Sequence, residues 1–300
     1  MPDLFLLARS LRTNWALFAR QPIGLLGLGV ILSYGLFALA HPILMSTVWD
    51  PVIYHPVSGF DVSIASHPAP PSARHLLGTD PLGRDVLSQL MFSTRYEFAL
   101  GLIAAIVTMA IATTVGAVAA YFGGLVDVIL MRIVNLGMMV PTLPLLIVLG
   151  ALMEVGILEL AIVIGLLSGF SGAAIVIRSQ ALAIKVRPYI DAARIAGGGH
   201  AHIIFRHMLP NLMPITLLYM MFGVNGAIAT EAVLSFLGLT TMEMSWGLMM
   251  NTSRFFGYLL RFDTWWLLFP ASVAISTLCA AFYLAGRALD EVVDPRLGRS

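Results

Sequence analysis

Six separate runs of about 20 mostly apolar residues constrain this chain more than any other feature. Inside a bilayer no water pairs with the backbone, so every N–H and C=O must be satisfied within the protein. An α-helix rising ~1.5 Å per residue does this across a hydrocarbon core of ~30 Å. The runs extend from Ile23 to Leu44, Phe98 to Ala120, Ile133 to Met153, Ile157 to Ile177, Leu212 to Leu237 and Trp265 to Leu284. They predict an all-α integral membrane protein of about six transmembrane helices. Composition agrees, with 59% hydrophobic and 11% charged residues, against about 25% charged in a soluble domain. The net charge of +1, with no block of like charge, gives no basis for a nucleic acid partner; lipid is the expected surround. Cys279 is the only cysteine, so no intrachain disulfide, thiolate metal cluster or redox pair is expected.

The first run follows Arg9, Arg12 and Arg20, and Ala38-Leu39-Ala40 resembles a signal cleavage site. Its apolar length exceeds the ~7 to 15 residues of a signal core, so an uncleaved anchor is expected. Orientation follows from basic residues, which are retained on the cytoplasmic side. With both termini inside, that side holds Arg9, Arg12, Arg20, Arg132, Arg178, Lys185, Arg187, Arg194, Arg206, Arg287, Arg296 and Arg299; Arg74, Arg84, Arg95, Arg254 and Arg261 fall outside. The predicted division is a cytoplasmic segment 1–21, a first span with an external cap loop 22–97, a five-helix core 98–290 containing a cytoplasmic loop 180–210, and a cytoplasmic tail 291–300. Prolines at 51, 56, 68, 70 and 71 predict an irregular external cap between Met45 and Glu97. The external stretch Gly238 to Thr264 reads as interfacial or re-entrant, mixing Trp246, Arg254, Arg261 and Asp263 with apolar residues.

The polar loop contains Tyr189-Ile190-Asp191-Ala192-Ala193-Arg194-Ile195-Ala196-Gly197, three successive glycines ending at Gly199, and Ile203-Ile204-Phe205-Arg206-His207-Met208-Leu209-Pro210. Pro188 and Asp191 suit a helix start, and glycines costing about 1 kcal/mol each relative to Ala predict a bend near Gly197 to Gly199. Ala192, Ala193 and Ala196 leave a low-relief face that a partner protein could approach closely.

This segment resembles the cytoplasmic loop of ATP-binding-cassette importer permeases. That loop reads Glu-Ala-Ala, three residues, Gly, nine residues, then Ile-x-Leu-Pro. Asp191-Ala192-Ala193, Gly197 and Leu209-Pro210 fall on the spacing, with Asp191 in place of Glu and His207 in place of Ile. The external run His75 to Ser88, containing Gly78-Thr79-Asp80 and Gly83-Arg84-Asp85, is similar to the signature of the C-type permease in the dipeptide, oligopeptide and nickel branch. Tyr121-Phe122-Gly123-Gly124 with Asp127 and Met131-Arg132, Glu231 to Leu239, Ser245-Trp246-Gly247, Trp265-Trp266 and Asp294-Pro295-Arg296 extend the likeness over almost the whole chain. The resemblance implies a type I importer fold with a cytoplasmic coupling helix in a bacterial inner membrane. Asp191, Ala192, Ala193, Arg194, Gly197, Arg206, His207, Leu209 and Pro210 would meet an ATPase. The implied partners are a second similar permease, two ATPases carrying ATP and Mg, and an external solute-binding protein that selects the cargo.

Other readings are weaker. Gly169-Phe170-Ser171-Gly172 resembles the nucleophile motif of rhomboid-type serine proteases, yet no histidine falls in the later spans to serve as base. An ion-driven transporter would show paired intramembrane charges, and Glu231 is the lone acid expected in the spans, a candidate functional residue that is otherwise expected to pair with a distant group such as Arg84 or Arg95 or to reach water near the interface. No Gly-x-x-x-x-Gly-Lys-Ser/Thr loop is present, and the only lysine is Lys185, so neither ATP hydrolysis nor a cofactor is expected of this chain. His200, His202 and His207 lack the spacing of a helical ligand pair, and no metal is assigned. Gly165 and Gly169, four residues apart, are expected to let two helices pack closely.

Overall fold

The computed structural model describes residues 18–293; Arg9, Arg12, Arg296, Arg299 and the Asp294-Pro295-Arg296 stretch lie outside the described residues. Helix α1 (Pro22–Thr47) is followed by the single turn α2 (Pro51–Tyr54) and the long α3 (Val86–Phe122). Next come α4 (Gly124–Met139), α5 (Thr142–Leu152), α6 (Ile157–Gly169) and α7 (Gly172–Lys185). The polar loop holds α8 (Pro188–Ile195) and α9 (His200–His202), and a π-helical turn, Ile203–Met208, leads into α10 (Leu209–Phe236). A separate helix α11 (Trp246–Phe255) and a 3-10 turn (Phe262–Leu267) precede the last helix, α12 (Phe269–Val293).

Four helices are long and apolar enough to cross a membrane, and the pairs α4–α5 and α6–α7 are each sufficient for one more crossing. The predicted spans are therefore present, with three changes. The second does not begin at Phe98: Asp85 accepts the Ser88 N–H and starts α3 at Val86, so its 37 residues reach about 55 Å, well beyond a ~30 Å core. The third bends by 71° between α4 and α5, because Val140 precedes Pro141 and is held extended. The fourth bends by 52° at Phe170 and Ser171, between two glycines.

The central element is α3, packed against α1, α6, α7 and α10, while α12 closes on α1 and α10. Apolar helices gain little from mutual burial when lipid is the alternative, so close approach of small residues does the work. A Cβ on Gly116 would lie 2.8 Å from the Ala174 carbonyl oxygen, which brings α3 and α7 into backbone contact among buried Ala112, Ala120 and Ala181. Gly165 sits against Val107 and Gly169 against Ile111 in the same manner, so this pair serves packing within the chain. Leu26, Leu32, Leu36, Leu39 and Ile43 of α1 face outward, as a surface meeting lipid requires.

Candidate functional site

The two ends of the bundle are built differently. At the end carrying α8, Pro188 opens the helix and Asp191 sits in its first turn, where a carboxylate favours the positive end of the dipole. The helix stops because Gly197 takes φ +83°: its N–H bonds to the Arg194 carbonyl and the Gly198 N–H to the Ala193 carbonyl, a Schellman closure. Only Ile190 of α8 is fully buried, inserted among Ile203, Ile204, Met208 and Leu212. Asp191, Ala192, Arg194 and Gly197 are exposed and Ala193 is half-buried. Asp191 and Arg194 pair at 3.0 Å on the surface. Ile195 is 89% exposed and Phe205 65%, an apolar display without intramolecular cover.

Two contacts with Tyr121 fasten this segment to α3: its hydroxyl meets His200 Nδ1 at 2.8 Å, and the Arg194 guanidinium lies over its ring. The helices beside it are tied as well, since Lys185 Nζ of α7 donates to the Ala120 carbonyl of α3 and Arg178 of α7 grips Asp127 of α4 through both its Nε and Nη2. Of the remaining predicted residues, Leu209 is half-buried, Pro210 and Arg206 are exposed, and His207 lies edge-on to His202 at 5.3 Å. The wide turn before Pro210 has a local cause: proline lacks the N–H that an α ladder needs, and the Leu209 N–H bonds instead to the Ile204 carbonyl. Beyond it the helix continues without interruption to Phe236, so α8 hangs from the root of one element that traverses the bundle.

At the opposite end, the six residues Gly78, Thr79, Asp80, Gly83, Arg84 and Asp85 are brought into one knot over the start of α3. Thr79 and Asp85 form a β-bridge, and Gly78 and Gly83 take φ +71° and +83°. Asp80 accepts from the backbone N–H groups of Leu82 and Arg84, from the Arg84 Nε and from Gln89. Asp85 caps α3 with one oxygen and holds His75 Nδ1 at 2.8 Å with the other, while His75 Nε2 lies 3.1 Å from Asp61, itself paired with Arg74. Both ring nitrogens of a 1% exposed histidine thus face carboxylates, which an imidazolium satisfies and a neutral ring does not. Asp85, assisted by Asp61 and opposed by burial, holds the imidazole above its usual 6.5. Burial would raise Asp61, but Ser63, His75 and Arg74 hold it down at about 2. This predicted signature acts as an interlock.

Between the ends lies a cavity of about 500 Å³. Both helix breaks open into it, consistent with irregular backbone being tolerated at membrane depth where it lines a cavity. Thr108, Thr142, Ser168, Ser171, Tyr219 and Thr230 supply hydroxyls, and among the described residues no charged side chain or histidine lines it. The hydrolase reading needs a base beside Ser171, and the described lining offers none.

Glu231 is buried, as an acid in the fifth span must be, but its partner is not an arginine. Ser235 donates to it, and across the helix interface it meets Glu97 of α3. Reading Glu97 as the end of a loop misses this second acid; the early start of α3 carries it into the core.

Comparison with known proteins agrees with the geometry. Residues 112–299 match the family described as binding-protein-dependent transport system inner membrane component. The dipeptide transport system permease protein DppC of Bacillus subtilis is 33% identical over 95% of this chain and 85% of its own length. A putative peptide permease protein of Brucella suis is 34% identical over 88% of this chain and 86% of its own, and a putative peptide transport system permease protein of the same species is 33% identical over 76% of each.

Proposed function

The chain belongs to the binding-protein-dependent transport system inner membrane components, and we propose that it carries peptides through the cavity between its two broken spans, driven at α8 by a separate ATPase. It is a multi-pass, non-catalytic permease subunit of an ATP-binding-cassette importer. The peptide cargo is inferred from what its relatives are named for. A second permease supplies the other half of the path, two ATPases bind ATP and Mg, and a solute-binding protein delivers cargo at the cap end. In this reading both termini and α8 face the cytoplasm, which the distribution of basic residues supports.

One observation carries the coupling assignment: α8 is held by a single buried side chain, Ile190, yet stands at the root of the helix that runs to Phe236. An ATPase cleft closing on Asp191 to Gly197 would move α10 and, through Tyr121 and Lys185, the end of α3, rocking the bundle between two openings. The hydroxyl-lined, uncharged cavity suits zwitterionic solutes of varied sequence, since a fixed charge would select among them.

The test is peptide uptake into vesicles containing the assembled importer. Ala193→Trp and Gly197→Leu are expected to abolish uptake while the subunit still inserts, since overpacking a close interface costs about 1 to 3 kcal/mol. Asp191→Glu is expected to leave uptake nearly unchanged. Normal import by both bulky variants would remove α8 from the coupling path.

A further inference from the structure

Glu97 and Glu231 are each 1% exposed, on neighbouring helices α3 and α10, at the end of the bundle away from α8. Their donors are few. The Ser235 hydroxyl donates to Glu231 Oε1 at 2.5 Å, Ser245 also bonds Glu231, and the Trp246 backbone N–H points at Glu97 Oε1 from 3.4 Å. Glu97 Oε2 and Glu231 Oε2 are buried with no hydrogen-bond partner among the described residues, and the two carboxyl groups lie within hydrogen-bonding reach of each other. Among the described residues no cation pairs with either group: Arg95 lies over the rings of Phe92 and Tyr96, at 4.4 and 5.1 Å, and Arg84 is committed to Asp80. The Cys279 thiol of α12 lies within electrostatic reach of Glu97.

Two carboxylates in contact, shielded from water and from any counter-charge, cannot both remain ionised. The available donors suit one negative charge, and the two unpartnered oxygens become a donor and an acceptor as soon as one carries hydrogen. We propose that Glu97 and Glu231 bind a single proton between them, and that this shared proton fastens α10 and α11 to α3. The pair sits where three elements converge, because Ser245 and Trp246 are the cap and first residue of α11. If α10 and α3 separate there during transport, water enters, the acid ionises, and the products are two carboxylates and one proton in bulk solution. Closing rebinds that proton. Proton binding at this point would link the conformation of the bundle to pH without moving protons across the membrane.

Infrared spectroscopy of the assembled importer in lipid discs at pH 7 tests this directly, independent of what the importer carries. The carbonyl stretch of a protonated carboxylic acid, shifted on exchange into D2O, is expected in the native protein and expected to vanish in Glu97→Gln and Glu231→Gln. Ser235→Ala, a mild change, should displace the band by removing a donor to Glu231. A native protein without such a band at pH 7 overturns the proposal. So does a band unmoved by Ser235→Ala and retained in whichever glutamine variant assembles. Thermal stability that rises with sodium in a protein lacking the band would assign the site to a metal cation, which is equally fatal to the shared proton.

Discussion

The cap end and the α8 end are held by opposite means. Over the start of α3, buried charged groups lock to one another in two sets, Asp61–His75–Asp85 and Asp80–Arg84. Around α8 one isoleucine is buried, the ion pair Asp191–Arg194 is in solvent, and Ile195 and Phe205 are uncovered. An interlock of buried charges tolerates little loss, since each remaining member is left without a partner. A helix with one buried side chain and an exposed apolar display is the kind of surface that the proposed ATPase contact would cover.

The largest effect should come from breaking the interlock at its centre. Asp85→Ala removes the α3 cap and leaves the buried His75 with Asp61 as its one carboxylate; losing a charge-assisted hydrogen bond costs about 1.5 to 3 kcal/mol, and loss of a cap about 1 more. Limited proteolysis of the purified importer should cut within residues 61–85 in this variant and not in the native protein. Equal resistance in both would show that the cap draws its order from elsewhere.

A smaller effect is expected from Ile190→Ala. Truncating a buried isoleucine costs about 2 to 5 kcal/mol, and the low end applies here because exposed α8 can settle into the space. Amide exchange should accelerate at 188–196 and be unchanged at 61–85, with uptake falling. Acceleration at both ends would mean that they are not independent.

The smallest effect is a pH profile confined to one end. The His75 pKa is raised on folding, so its contribution is fully present below 6.5 and is lost as pH rises through the higher folded value. The Asp61 pKa is depressed, so its contribution is present above 3.8 and is lost as pH falls towards about 2. Protection of residues 61–85 should therefore be greatest between those limits and decline on the alkaline side, whereas 188–196 keeps a flat profile. A decline of equal size at α8 would contradict the contrast drawn here.

Much of the α8 segment is legible from sequence because its determinants are local. Pro188 starts α8, Gly197 ends it in a left-handed conformation, and neither requires distant contacts. The same is true of the apolar runs, whose length alone satisfies the backbone within lipid. The start of α3 is less legible: Gln89, Arg95 and Glu97 make its first turns resemble a loop, and only the cap folded over them supports a helix there. The bend at Val140-Pro141 had a local signal in the proline, whereas the break at Phe170 had only weak glycine cues.

The sequence by itself determined the apolar runs that make the chain a membrane protein, the family, and the boundaries of α8, because these follow from the length of each run, from motif spacing and from the φ preference of a single residue. Tertiary structure alone decided that His75 lies between two carboxylates and that Glu231 meets Glu97 and not an arginine. Side chains far apart in sequence acquire partners only when helices cross, and the crossing points are set by small residues such as Gly116 and Gly165, whose effect depends on what faces them.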